Sequence, residues 1–219
     1  MDMQSMEFAH DLKMPIQLIY SCVQLLEMEL SSNAKVEGYL KLLAQSADQL
    51  QSMVHSVLDA PETAGGEPPQ LKRRDVVAQA RNLGRQCALC ARDRGVKFQF
   101  SSNVSALNIP MDGEKLNRIL QNLLSNALRF TPAGGSIRLN VQVRGDGVDF
   151  AVEDSGCGIA PSRQKKIFER GESEDSTGYG LAIVQSYARQ LGGHVTLKSA
   201  PGAGSCFTVH LPVRSAQAN

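Results

Sequence analysis

The chain has almost no excess of charge: 23 lysines and arginines stand against 22 aspartates and glutamates, a net charge of +1. A polyanion is held by the summed field of many like charges, so this balance excludes nucleic acid and an anionic membrane as partners of the chain as a whole. Also missing are a run of about 18 apolar residues that would span a bilayer and a basic, apolar and small-residue leader for export. A cytoplasmic location is expected, either alone or as the cytoplasmic part of a longer, membrane-bound chain. Cysteine is sparse and odd in number: Cys22, Cys87, Cys90, Cys157 and Cys206 lie scattered in apolar stretches, which reads as reduced thiols and not a disulfide framework. Cys87 and Cys90 form a lone CxxC with no histidine near it in sequence, so packed thiols on a helix account for it better than a zinc site. There is no internal repeat and no low-complexity segment.

What is present is enough for two small domains, since 42% of the 219 residues are hydrophobic. Between Phe8 and Leu30, Leu12, Ile16, Ile19, Val23, Leu26 and Leu30 recur at alternating intervals of four and three, the spacing of a coiled-coil seam. A polar break at Ser31, Ser32 and Asn33 follows, and Leu40, Leu43, Ala47, Leu50, Val54 and Val57 repeat the pattern. Two such helices make an antiparallel hairpin that leaves part of each stripe wet, so residues 1–60 are expected to pair with a second copy as a four-helix bundle in a homodimer. The proline- and glycine-rich stretch PETAGGEPPQ, residues 61–70, marks a linker.

Residues 71–219 alternate helical and strand patterns. Helices are expected from about Asp75 to Asp93, Gly113 to Phe130, Ser162 to Phe168 and Gly180 to Leu191. Strands are expected at Val96–Phe100, then as a hairpin turning at Gly145–Gly147, then as a second hairpin turning at Pro201–Gly204. Helices on one face of a mixed sheet give a two-layer α/β sandwich.

Four constellations carry chemistry. In FAHDLKMPI, His10 lies off the apolar seam, and Asp11 can accept a hydrogen bond from one ring nitrogen, which raises the nucleophilicity of the other. Pro15 leaves the carbonyl of Asp11 without its helical partner and bends the helix there. In NLLSNALRFTP, Asn122, Asn126 and Arg129 share one helix face, where carboxamide oxygens suit Mg²⁺ and a guanidinium suits phosphate. In EDSGCGI, Asp154 continues the inward set Val148, Phe150 and Val152. A buried carboxylate is costly unless it is paired, and an exocyclic amine such as that of adenine would pair it, while Gly156 and Gly158 let backbone approach a flat ring. In STGYGLAIV, Gly178 and Gly180 open a helix whose free N–H groups suit phosphate. A fifth segment, GAGSCFTVHLP, reads by itself as a hairpin turn.

Taken in this order, and with IFERG between the third and fourth, these segments resemble the sensor histidine kinases of two-component signalling over nearly the whole chain. The resemblance implies a dimerising hairpin that carries a phosphorylated His10, with Asp11 beside it, followed by a Bergerat-type ATP-binding domain shared with gyrase, chaperone and mismatch-repair ATPases. It implies ATP and Mg²⁺ as cofactors, Asn122 and Asn126 holding metal and phosphate, Arg129 neutralising phosphate charge and Asp154 reading adenine. Phe130, Gly156, Gly158, Ile159, Phe168, Thr177, Gly178, Tyr179, Gly180, Leu181, Ser205 and Thr208 complete the implied nucleotide site. The implied partner is the receiver domain of a response regulator, which accepts the phosphoryl group on an aspartate. Related ATPases carry glutamate where Asn122 stands, and an amide cannot activate water, which fits transfer to histidine over hydrolysis.

Two departures from the family's pattern bear on activity. Met14 stands where many members have Thr or Asn, and a thioether cannot donate to the water that dephosphorylates the partner, so phosphatase activity is expected to be weak or absent. Ser176 replaces a usual glycine in a short lid between Ile159 and Gly178. Two rival readings are an anti-sigma-type serine kinase, which would not need a hairpin with an exposed His-Asp pair, and a degenerate module that dimerises without turnover. His55, His194 and His210 read as structural or solvated.

Overall fold

The computed structural model describes residues 68–168 and 180–213, together with Ile19 and Leu43, both helical. The chain divides into two compact units, of which the second comprises residues 63–172 and 180–219. The expected hairpin over residues 1–60, its dimeric bundle and most of the linker lie outside the described residues.

In the second unit the elements run β1 (Lys72–Asp75), α1 (Val76–Asp93), β2 (Lys97–Ser102), β3 (Asn108–Met111), α2 (Gly113–Phe130), β4 (Ser136–Arg144) and β5 (Gly147–Asp154). A one-turn 3-10 helix (Lys166–Phe168), α3 (Gly180–Gln190), β6 (His194–Ser199) and β7 (Ser205–Pro212) complete them. Five strands form one mixed sheet in the order β2-β4-β5-β7-β6. Only the β2–β4 pair is parallel, and α2 with the segments around it provides that crossover.

Alternation decides the layers. Ile137, Leu139 and Val141 of β4, Val148, Phe150 and Val152 of β5, and Phe207, Val209 and Leu211 of β7 are all buried, whereas the residues between them are partly or fully exposed. One face of the sheet therefore packs against the helices and the other stays open, giving the expected two-layer sandwich. Helix α2 supplies the matching stripe, with Leu116, Ile119, Leu120, Leu123, Leu124 and Ala127 all buried at helical spacing. Full burial of a leucine- or phenylalanine-sized side chain contributes about 2–3 kcal/mol, so Phe150 and this stripe dominate the core.

Both long helices begin at an aspartate in extended conformation. Asp75 accepts from the N–H groups of Val77 and Ala78, and Asp112 from those of Glu114 and Lys115, satisfying donors that a helix start leaves open. The β4–β5 hairpin closes through Gly145 and Asp146, with Gly145 at a φ of 57° that suits a tight hairpin turn.

Two local features depart from expectation. Strands β1 and β3 pair as a short antiparallel ribbon beside the main sheet, in register from Lys72 opposite Met111 to Asp75 opposite Asn108. The stretch from Ser162 to Phe168 is a series of turns ending in the 3-10 helix, not a regular helix. There Arg163 and Gln164 donate backbone bonds three residues back, to Ala160 and Pro161.

Candidate functional site

The inward rows of β5, β6 and β7 all end in a polar residue. Val148, Phe150 and Val152 lead to Asp154; Leu211, Val209 and Phe207 lead to Ser205; Val195 and Leu197 lead to Ser199. Register places Asp154 opposite Ser205 and Ser205 opposite Ser199, so three polar side chains cross the sheet in one row on the helix-facing side. Two of them are buried, Asp154 at 9% exposure and Ser205 at 7%. A polar row at the end of an apolar sheet marks a place built for something other than core packing.

The Asp154 carboxylate is partly satisfied by the chain itself. Its Oδ1 accepts from the N–H of Gly156 at 2.8 Å. Burial pushes this carboxyl above its ordinary value of 3.8, the backbone hydrogen bonds from Gly156 and Ser205 oppose the rise, and the charge of Glu153 adds to it. The sequence alone pointed to a carboxylate awaiting an outside donor, yet the backbone already supplies part of the satisfaction and aims the group.

The loop after Asp154 is held by close approaches that only glycine permits. A Cβ on Gly156 would lie 2.4 Å from the carbonyl oxygen of Phe130, at the end of α2. Gly158 has a φ of 68°, and a Cβ there would lie 1.9 Å from the carbonyl oxygen of Ala200. The loop is thus wedged between the C-terminus of α2 and the β6–β7 turn. Ile159 is bound into it, its N–H donating to Ser199 Oγ at 2.8 Å.

Helix α2 brings the carboxamides. Asn122 and Asn126 are half-buried, and Arg129 is exposed with its guanidinium 5.5 Å from the ring centre of Phe130, itself 39% exposed. The amide nitrogen of Asn122 donates to the Arg118 carbonyl at 2.8 Å. Its oxygen faces the start of α3, 2.9 Å from where a Cβ on Gly180 would sit. Gly180 thus lets α3 begin against the carboxamide, and Leu181 packs against the core just after it.

The other expected residues divide three ways. Phe168 packs edge-to-face on Phe207, with ring centres 6.4 Å apart, which anchors the segment that follows Ile159. Thr208 does not join the site: strand alternation turns Ser205 and Phe207 inward and Thr208 outward, onto the open face beside Ala151 and Thr196. His10, Asp11, Thr177, Gly178 and Tyr179 lie outside the described residues. Two polar residues that the motifs passed over also touch the loop: Ser199, and Gln164, whose side-chain amide donates to the carbonyls of Ile159 and Ser199. A serine in an otherwise apolar inward row was the available signal for the first, and the second had none.

Residues 111–215 match the family described as histidine kinase-, DNA gyrase B-, and HSP90-like ATPase. The chain is 30% identical over 212 residues to the sensor histidine kinase ZraS of Salmonella typhimurium strain LT2, covering 95% of this chain and 45% of that protein. The crystal structure of full-length ShkA in complex with AMPPNP superposes with a TM-score of 0.72 at 27% identity, covering 98% of this chain and 46% of that one. The structure of histidine kinase ThkA in complex with the response regulator TrrA gives the same TM-score at 17% identity, covering 98% and 62%, and so is alike in fold. The chain spans about half the length of ZraS and of ShkA.

The sandwich, the buried aspartate and the glycine loops define an ATP-binding domain of the kind that histidine kinases share with gyrase B and HSP90. Residues 111–215 carry that ATPase domain, and over nearly its whole length the chain is similar to sensor histidine kinases.

Proposed function

We propose that this chain is a kinase core that uses ATP and Mg²⁺ to phosphorylate its own His10 and passes the phosphoryl group to an aspartate on a response regulator receiver domain. The observation that carries the proposal is the aimed, buried carboxylate of Asp154 in a glycine loop packed against the helix that bears Asn122 and Asn126. ATP, when bound with Mg²⁺, supplies the γ-phosphoryl group. The residues present fit both: Asp154 keeps an acceptor for the adenine amine, and Gly156 and Gly158 leave room for the ring. The carboxamides of Asn122 and Asn126 offer oxygen to a hard cation, and Arg129 offers charge to phosphate.

Phosphoryl transfer needs placement and charge neutralisation more than covalent machinery, so the domain's task is to hold and orient. His10 is the nucleophile through one ring nitrogen, and Asp11 takes the proton of the other in a hydrogen bond that fixes the tautomer. Met14 leaves no donor there for a hydrolytic water, so the partner's phosphoryl aspartate should be long-lived in its presence.

The test is incubation of the purified chain with Mg²⁺ and γ-labelled ATP, comparing wild type with His10→Ala. Acid-labile label that disappears in His10→Ala supports the kinase. Nucleotide binding without any label would overturn it in favour of a module that dimerises and binds ATP without turnover.

A further inference from the structure

The loop that presents Gly156 and Gly158 is fixed at its start by the β5 ladder, and at its far end it is held mainly by two side chains. Ser199 Oγ accepts from the Ile159 N–H at 2.8 Å and donates to the Gly204 carbonyl at 2.8 Å. It also lies 3.1 Å from Ser205 Oγ. A hydroxyl has one proton, and here that proton goes to Gly204, so Ser205 is the donor in the last contact and every lone pair of Ser199 Oγ is committed. Gln164 completes the hold with its amide nitrogen, donating to the Ile159 carbonyl at 3.0 Å and the Ser199 carbonyl at 2.9 Å. Ile159 is therefore gripped at both its N–H and its C=O. One backbone bond, from the Gly202 N–H to the Cys157 carbonyl at 2.7 Å, ties the same loop to the same turn.

We infer that Ser199 and Gln164 are positioning residues for base recognition, acting through the loop on the Asp154 carboxylate. The inference rests on the ATP-binding reading above. The link is Gly156, which sits between the ladder and the clamp and whose N–H fixes Asp154 Oδ1. Releasing Ile159 leaves the loop beyond Gly156 tied by the Cys157 carbonyl alone, which loosens the Gly156 donor while the Ser205 N–H keeps its own bond to the carboxylate. Both side chains bond groups of this loop and turn, so the effect should fall on base selection.

A merely structural serine at a hairpin end makes a different forecast. It predicts lower stability with every nucleotide weakened alike. A positioning role predicts loss of discrimination at the atom that Asp154 reads.

The experiment compares ATP with inosine triphosphate, which carries an oxo acceptor where ATP carries the amine. Binding of both to the whole chain is measured by calorimetry for wild type, Ser199→Ala, Ser199→Thr and Gln164→Leu, with thermal unfolding of each. Wild type should prefer ATP. In Ser199→Ala and Gln164→Leu the affinity for ATP should fall about tenfold while that for inosine triphosphate hardly moves, a change of the size of one net hydrogen bond. Ser199→Thr, which keeps the hydroxyl, should restore the preference. Gln164 is half-buried on a turn, so its variant reports even if Ser199→Ala fails to fold. Folded variants that keep the wild-type ratio, or that lose affinity for both nucleotides equally, would overturn the positioning role and leave the ATP site standing. A wild type that shows no ATP binding, or no preference, would overturn both.

Discussion

At the scale of single residues, Asp154 couples stability and binding in opposite directions. Burial raises its folded-state value above 3.8, so the folded chain takes up this proton at a higher pH than the unfolded chain does. Between the two values, lowering the pH therefore favours the folded, nucleotide-free form through this group. The same protonation removes an acceptor for the adenine amine. ATP affinity should thus decline on acidification before ordinary carboxylates titrate, without a matching loss of fold. Calorimetric titration with ATP at falling pH, alongside circular dichroism, checks this. Asp154→Asn should bind ATP weakly with a flatter profile, and a wild-type profile identical to that of Asp154→Asn would rule the residue out as the reader. Much of this site was legible beforehand, because a carboxylate in an apolar strand row and glycines at close spacing are both costly unless used. Thr208 was misplaced because a motif ignores strand period, and one step along β7 turns a side chain to the other face. Gln164 was invisible because one of its two bonds reaches a carbonyl 35 residues away, at Ser199.

At the scale of elements, α2 holds both the core stripe and the carboxamides, so its start and its working face are separable. Asp112 is 6% exposed and accepts from Glu114 and Lys115 through one oxygen and from Gln70 through the other. Asp112→Ala strips the cap and leaves three donors without partners, and it should cost about 1–2 kcal/mol or somewhat more. Asn122 and Asn126 lie two and more turns away, so ATP affinity should stay within about twofold where the chain is folded. Denaturant unfolding measures the first and calorimetry the second; a large affinity loss without a stability loss would show that the helix start feeds the site directly. The helices and hairpins were readable because their periods, 3.6 and 2, run for many residues. The β1–β3 ribbon escaped because each strand has four residues, one basic throughout its first three and the other broken by Pro110. The turns after Pro161 have no long period either, since side chains such as Gln164 and not a helical ladder hold them.

At the scale of the whole molecule, the proposed hairpin's expected need for a partner becomes a test of the kinase reading. The seam Leu12, Ile16, Ile19, Val23, Leu26 and Leu30 and its counterpart from Leu40 to Val57 hold more apolar surface than one hairpin can cover. Short helices that cannot bury their stripe are marginal in water, so the helix bearing His10 should depend on a second copy for its order. A lysine in the middle of the seam would have to bury its charge in the bundle or keep the copies apart, and the second costs less. Leu26→Lys should therefore sediment as a monomer, and the wild type should sediment as a dimer. ATP affinity should remain within about twofold, because Asn122, Asn126 and Asp154 all lie in the second unit, far in sequence from Leu26. Label incorporation at His10 should drop by roughly tenfold or more, whether transfer runs within a subunit or across the pair, because in both cases the acceptor helix has lost its support. A monomeric Leu26→Lys that labels as fast as wild type would mean that one hairpin folds and presents His10 alone, and the bundle would then serve some step other than phosphoryl transfer.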